Sequence, residues 1–482
     1  MLRSLRLLLA APLLLASSRA IAAQQQAGAT AGSPPARAAL VSRLDSLADD
    51  YVAQTPASGM TIAVVSRGDT LLLRGYGERD REKHLPADVA TIYRVGSITK
   101  QFTAAAVMRL VERGSVKLED PITRYLPQYP QWKSVTVREL LNHTSGIHSY
   151  TSSEEWRKHW AEDLTPAALI AFVAKDTMDF APGTRWSYNN TGYMLLGLLL
   201  EKVTRQPYAA LLQRDVFGPL GMKSAAYCPT KPADARYAVG YTRDAGEFTL
   251  ATPLSMTHPY AAGALCMSVP DYLVWQRALM SGRIVKPATL ALMVGPETLA
   301  NGETTSYGMG LATGGIGTHL DIQHGGSING FSTQQFWFPA DSLSIVVFVN
   351  TDGADPDWLV RNVASAVFGL PITPKKLQQP ASPIVVAPRV PLSAASAAKF
   401  VGEYDITRPD GSLLPIKLFV DGEELMAQAD GQDKAPLRYL GDDTFGADFD
   451  PKVRLIFKVE GGKAISAKLL QNGATMNVTR RP

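Results

Sequence analysis

Ser97 and Lys100 are the pair in this chain whose types and spacing best suit nucleophilic chemistry. On an α-helix, three positions put both side chains on one face, a turn apart. A serine hydroxyl is a weak nucleophile until a base within hydrogen-bond reach takes its proton. Lysine can be that base if its amine is neutral, or it can keep a second base unprotonated; burial and nearby cations push it that way. The following residues supply burial. Phe102, Ala104, Ala105, Ala106, Val107, Met108, Leu110 and Val111 lead to a stop at Gly114, apolar most of the way round. A lysine opening a core helix is costly unless it has partners. The spacing alone is weak, because S-x-x-K occurs twice, at Ser97 with Lys100 and at Ser396 with Lys399, about as often as chance provides.

Other elements must hold this pair. Apolar residues recur at helical spacing over 38–52. Residues 60–65 and 71–76 read as strands joined at Arg67-Gly68-Asp69, a hairpin. Helical patterns follow from 137, and over 166–173, 193–203, 208–216, 270–280 and 358–368. Residues 260–268, small and apolar, read as a strand packed close to a helix. Residues 310–317 are Gly-rich, and apolar strands are expected over 334–338 and 343–349. Helices and strands at both ends predict one sheet built from the two termini of the domain. The middle then forms a helical lobe, with a cleft between the two.

Three motifs occur in order: Ser97-Ile98-Thr99-Lys100, Tyr188-Asn189-Asn190 and His324-Gly325-Gly326. With them stand Leu140-Leu141-Asn142-His143-Thr144-Ser145-Gly146-Ile147, Pro182-Gly183-Thr184, Tyr193-Met194-Leu195-Leu196-Gly197 and Ala261-Ala262-Gly263. Over residues 37–370 the chain resembles the serine hydrolases of the β-lactamase/penicillin-binding-protein family. The nearest branches are the class C β-lactamases, D-alanyl-D-alanine carboxypeptidases, D-aminopeptidases and related esterases. The resemblance implies an α/β fold, an antiparallel sheet flanked by helices plus a helical lobe, and an acyl-enzyme on Ser97. Lys100 would hold the network ready to accept a proton. Tyr188 would be its partner base, and Asn190 would orient Lys100 and contact a substrate amide. The backbone amides of Ser97 and Ser327 would bind the oxyanion, with Gly325 and Gly326 letting that strand approach the substrate. His324 would take a site role, whereas His143 reads as structural. Taken singly, Tyr188 fits a core aromatic and Asn190 fits a helix N-cap.

One departure redirects the substrate. Many β-lactamases carry Lys-Thr-Gly at the third motif, where a permanent cation holds the substrate carboxylate. A neutral imidazole at His324 holds an anion less well. The same substitution is found in the esterase and aminopeptidase branches, so the resemblance implies a D-amino-acid peptide or a small ester as substrate. The alternatives are a class C-like β-lactamase or a non-catalytic peptidoglycan-binding or sensor protein of the same fold. No cofactor is expected. The histidines lack metal-ligand spacing and H-E-x-x-H is absent, so no metal is expected either.

The remainder bounds the setting. The 482 residues are 46% hydrophobic and 19% charged, enough for a large core and a second domain. Residues 1–23 read as a signal peptide: Arg3 and Arg6, the apolar run 7–15, then Ala20-Ile21-Ala22. The formal charge is +4, and loss of Arg3, Arg6 and Arg19 with the leader leaves +1. No nucleic-acid partner follows from that. No later run reaches membrane-spanning length, so the expected location is periplasmic or secreted. Cys228 and Cys266 fit one bridge or a buried thiol equally. Residues 24–36 read as a flexible start. Six prolines mark 371–392 as a linker. Short alternating runs with Asp421-Gly422, Gly461-Gly462 and Asn472-Gly473 turns make 393–482 a small antiparallel β-barrel or sandwich. It resembles lipocalin-like modules appended to some of these hydrolases, and is a candidate surface for oligomer contacts.

Overall fold

The computed structural model describes residues 34–373 except 56, 245 and 246, and residues 393–481 except 408–412, 423, 430–433, 448–449 and 472–473. The leader, most of the stretch 24–36 and most of the linker lie outside the described residues. The chain divides into two compact units, Met1–Leu377 and Gln378–Pro482.

The first unit is built on a seven-stranded antiparallel sheet. Its order is Leu85–Pro86, Asp69–Asp80, Gly59–Ser66, Leu343–Val349, Phe331–Phe338, His319–Ile328 and Ala312–Ile316. The two termini of the domain meet at its centre, where Met60 faces Val349 and Ser66 faces Leu343. The expected hairpin is present: Arg67 and Gly68 both take positive φ (51° and 88°), the conformation a two-residue hairpin turn with right-handed twist requires. Both faces of the central strands are covered, which is why they read as unbroken apolar runs. Ile62, Val64, Ile345 and Val347 point into one core and Ala63, Val346 and Phe348 into the other. Helices Pro34–Gln54 and Pro356–Phe368 close the first core, with Tyr51 stacked on Trp358 at 6.2 Å.

The second core is the helical lobe. Its centre is the helix Thr99–Glu112, whose Phe102 stacks on Trp275 of helix Val269–Met280 at a 3.9 Å ring separation. Truncating such a buried aromatic removes about 3–5 kcal/mol. Helix Val137–Leu141 starts in a capping box between Thr136 and Glu139.

Two sequence expectations change here. Residues Tyr260–Gly263 are a helical turn, and only Leu265–Met267 is a strand. The run is apolar in both forms, so periodicity could not separate them. The turn is fixed by packing: a Cβ on Gly197 would overlap the Tyr260 ring and the Ala261 Cβ. The Gly-rich stretch contributes a strand, Ala312–Ile316, at the sheet edge. Cys228 and Cys266 form a disulfide, which resolves that open alternative.

The second unit is a closed eight-stranded antiparallel barrel running from Gly402–Thr407 to Ala474–Arg480, with Phe400, Tyr404, Phe445 and Phe457 in its core. The final strand pairs with the first, and closure removes the free edges an open sandwich would leave.

Candidate active site

Ser97 sits in the 3₁₀ turn Gly96–Ile98, directly before the helix carrying Lys100. Lys100 is fully buried. Its Nζ lies 3.1 Å from Ser97 Oγ, 2.8 Å from Asn190 Oδ1 and 2.8 Å from the Ala262 carbonyl oxygen. None of these partners is a carboxylate. Burial therefore holds the Lys100 ammonium well below the usual lysine range. The helix grips the 260–267 segment at three points. Ala262 O accepts from Lys100, Ala261 O accepts from Thr103 Oγ1 at 2.6 Å, and Leu265 N donates to Thr99 Oγ1 at 3.1 Å.

The second motif arrives from the helical lobe. Asn189, not Asn190, is the N-cap of helix Asn190–Thr204, its Oδ1 accepting from Gly192 N at 2.7 Å. That frees Asn190 to face Lys100, while its Nδ2 donates to Thr151 Oγ1 at 3.1 Å. The capping alternative for Asn190 is thus taken by its neighbour. His143 holds the backbone on both sides of Tyr188: its carbonyl accepts from Ser187 N at 3.0 Å and its Nδ1 from Asn189 N at 3.1 Å. Buried and neutral, with burial first and Lys100 second in lowering its pKa, His143 positions Tyr188.

The Tyr188 ring lies 4.7 Å from Lys100 Nζ. Its hydroxyl is buried without a hydrogen bond of ordinary geometry, though Ser97 is near enough to oppose desolvation. Desolvation prevails and raises the phenol above its usual pKa. At rest the Tyr188 side chain is therefore a neutral phenol. Among these side chains, the amine is the group that burial turns into a base.

The third motif lies on strand His319–Ile328. His324 is buried with both ring nitrogens engaged. Nδ1 lies 2.6 Å from the Gly325 carbonyl, which can only accept, so Nδ1 carries the proton. Nε2 then accepts from the Tyr307 hydroxyl at 2.8 Å. Burial, then Lys100, lower its pKa to about 4. Both ring nitrogens of His324 thus have partners within the protein, and its imidazole is neutral. Gly326 is also explained differently from the expectation. A Cβ there would overlap the Val95 carbonyl and Thr333 Oγ1, so this glycine lets the strand close onto the segment before Ser97. Gly325 has ordinary space around it. Ser327 is exposed, and its backbone abuts Gly96, whose φ is +51°.

Ser97, Asn190, Ala262 and Ser327 line a cavity of about 110 Å³. Sequence reasoning missed the Ala262 carbonyl, Thr151 and Tyr307. A backbone oxygen in an apolar run leaves no signal in residue types, and a tyrosine or threonine outside a motif leaves little.

The Beta-lactamase family profile matches residues 44–369. The chain belongs to the beta-lactamase family. Its fold is accordingly that of a beta-lactamase-type hydrolase followed by a closed eight-stranded barrel. A D-aminopeptidase from Gluconobacter oxydans is 27% identical over 352 residues, 70% of this chain; the chain spans 64% of that protein's length. A D-stereospecific amidohydrolase from Streptomyces sp. superposes with a TM-score of 0.60 at 26% identity, over 68% of this chain and 99% of the other. An octameric penicillin-binding protein homologue from Pyrococcus abyssi superposes with a TM-score of 0.62 at 26% identity, over 91% of this chain and all of the other. This beta-lactamase-family chain has no helix among its described residues long and apolar enough to cross a membrane.

Proposed function

We propose that the protein is an exported serine hydrolase that forms an acyl-enzyme on Ser97 and cleaves an amide or ester, either a D-amino-acid peptide or a small ester. One observation carries the reading: a fully buried amine with no carboxylate partner among the described residues, held by one hydroxyl and two carbonyl-type oxygens. A neutral amine has two N–H donors and one lone pair. Donating to Asn190 Oδ1 and the Ala262 carbonyl uses both donors and turns the lone pair to the Ser97 hydroxyl. Ser97 Oγ attacks the scissile carbonyl as its proton passes to Lys100 Nζ. The oxyanion is held by the backbone N–H groups of Ser97, in the first turn of a 3₁₀ helix, and of Ser327. Tyr188, a neutral phenol at rest, passes a proton to the leaving group and is reprotonated from Lys100. Water then attacks the acyl-enzyme by the same steps reversed.

The names of the D-aminopeptidase and D-stereospecific amidohydrolase relatives support a D-configured amide substrate. The neutral His324 argues against a β-lactam whose carboxylate is held at the third motif. The leader pattern in 1–23 and the Cys228–Cys266 bridge support export to the periplasm or beyond. Oligomerisation is assigned to the C-terminal barrel, with the octameric homologue as its support; light scattering on the full chain reads it out.

The deciding experiment is a substrate panel of D-amino amides, D-Ala-D-Ala peptides, short p-nitrophenyl esters and nitrocefin, run beside fluorophosphonate labelling. Labelling lost in Ser97→Ala, with amides or esters cleaved faster than nitrocefin, is expected. Nitrocefin as the best substrate points to a β-lactamase. Absence of both labelling and turnover points to a binding or sensor protein.

A further inference from the structure

The cavity at Ser97 is small, but a groove of about 840 Å³ adjoins it, the two sharing Leu254 and Asn329 in their walls. That is the size of a pocket for a sizeable organic ligand. Its charges are unequally matched. Of its acids, Asp80 is paired with Lys83 at 2.8 Å and Asp234 with Arg236 at 2.6 Å. Two lining cations, Arg94 and Lys231, have no carboxylate partner among the described residues. Lys231 is exposed at the rim. Arg94 is partly buried, three residues before the nucleophile. Among the described residues its guanidinium makes one long hydrogen bond, Nη2 to the Thr230 carbonyl at 3.4 Å, and lies 5.8 Å from the Phe331 ring centre. Burial pulls the guanidinium pKa down with no carboxylate to raise it again. A guanidinium presents up to five N–H donors in a fork matched to a carboxylate, and this one leaves most of them unused.

We infer that the groove binds a carboxylate-bearing extension of the substrate, with Arg94 as the anion-binding residue and Lys231 drawing the charge in at the rim. The inference rests on the hydrolase reading and adds the substrate class. It also supplies a cation that the third motif lacks, at a different place. The preferred substrate then carries its negative charge away from the scissile bond, far enough to pass Leu254 and Asn329.

The test uses mono-p-nitrophenyl esters of succinate, adipate, suberate and sebacate, each beside its neutral methyl ester. At least one charged member should exceed its neutral partner in kcat/KM by about tenfold, the scale of one charge-assisted contact. Arg94→Gln should lower kcat/KM on that charged ester about tenfold more than on the neutral one. Lys231→Glu, at an exposed position that tolerates change, should lower the ratio about threefold and serves if Arg94→Gln fails to fold. A second reading does not require turnover: binding of suberic acid monoamide against suberamide to Ser97→Ala, by calorimetry. Equal handling of charged and neutral probes by the unaltered protein, or a ratio unmoved by both charge variants, overturns the inference. Selective monoamide binding without hydrolysis of any ester keeps the anion site and overturns the hydrolase reading instead.

Discussion

The molecule contains the Ser-x-x-Lys spacing twice, as Ser97-Ile98-Thr99-Lys100 and Ser396-Ala397-Ala398-Lys399, and the two copies share little beyond it. Lys100 is fully buried and surrounded by neutral oxygens, at 3.1 Å from its serine. Lys399, in the second unit, forms an ion pair with Asp443, both side chains about a third exposed (29% and 31%). Its companion Ser396 bonds instead to Ser393, Oγ to Oγ at 2.9 Å. A counter-ion favours the ammonium form, whereas burial without one favours the free amine, whose lone pair can then accept a proton. The two lysines thus differ in their surroundings and not in their spacing from a serine.

The sharpest way to break this contrast is Ser97→Ala beside Ser396→Ala. The first should remove fluorophosphonate labelling and turnover altogether, and the second should leave both intact. Lys100→Ala should slow acylation by at least about 10², the scale of lost general-base catalysis, while substrate affinity changes far less; stopped-flow acylation separates the two, and a tenfold or smaller loss in rate refutes the role. Asn190→Asp gives Lys100 the kind of partner Lys399 already has. It should raise the lysine pKa, lower activity at pH 7 by about tenfold or more, and move the rising limb of the pH–rate profile upward. The sign follows from the free amine being the active form, so activity is lost as pH falls through the Lys100 pKa.

Two smaller effects concern stability. His324, with its folded pKa near 4 against 6.5 when exposed, binds fewer protons folded than unfolded between those values. Its stabilising contribution is complete above about pH 6.5 and falls as the medium is acidified towards 4. The loss should reach roughly 2 kcal/mol by pH 5. His324→Gln should flatten that dependence in thermal melts at pH 5 and 7. Lys399→Ala should cost under about 1 kcal/mol, as partly exposed ion pairs do, with no change in rate.

What could be read in advance follows the same line. Ser97 and Lys100 were legible because a helical pair has a fixed spacing and an apolar helix behind it. The sheet was legible because its central strands are buried on both faces and so lack polar positions. Asn190 was ambiguous because two adjacent asparagines can each cap a helix, and only the backbone decides that Asn189 does so. The turn Tyr260–Gly263 was misread as a strand, and with it the Ala262 carbonyl was lost. Short apolar runs carry no period long enough to name their conformation. Arg94 gave no signal at all, since an arginine is notable only once its neighbours prove to contain no acid.

The pairing of Gly59–Ser66 with Leu343–Val349 has a consequence for the time course of synthesis. A ribosome delivers Ser97 early, but the amide of Ser327 and the strand that completes the centre of the sheet emerge only near the domain's end. Until they dock, the surroundings of Ser97 lack the Ser327 backbone, and Gly326 has not closed onto the Val95 carbonyl. On the proposed mechanism the nascent polypeptide would therefore stay inactive until these late strands dock on the early ones.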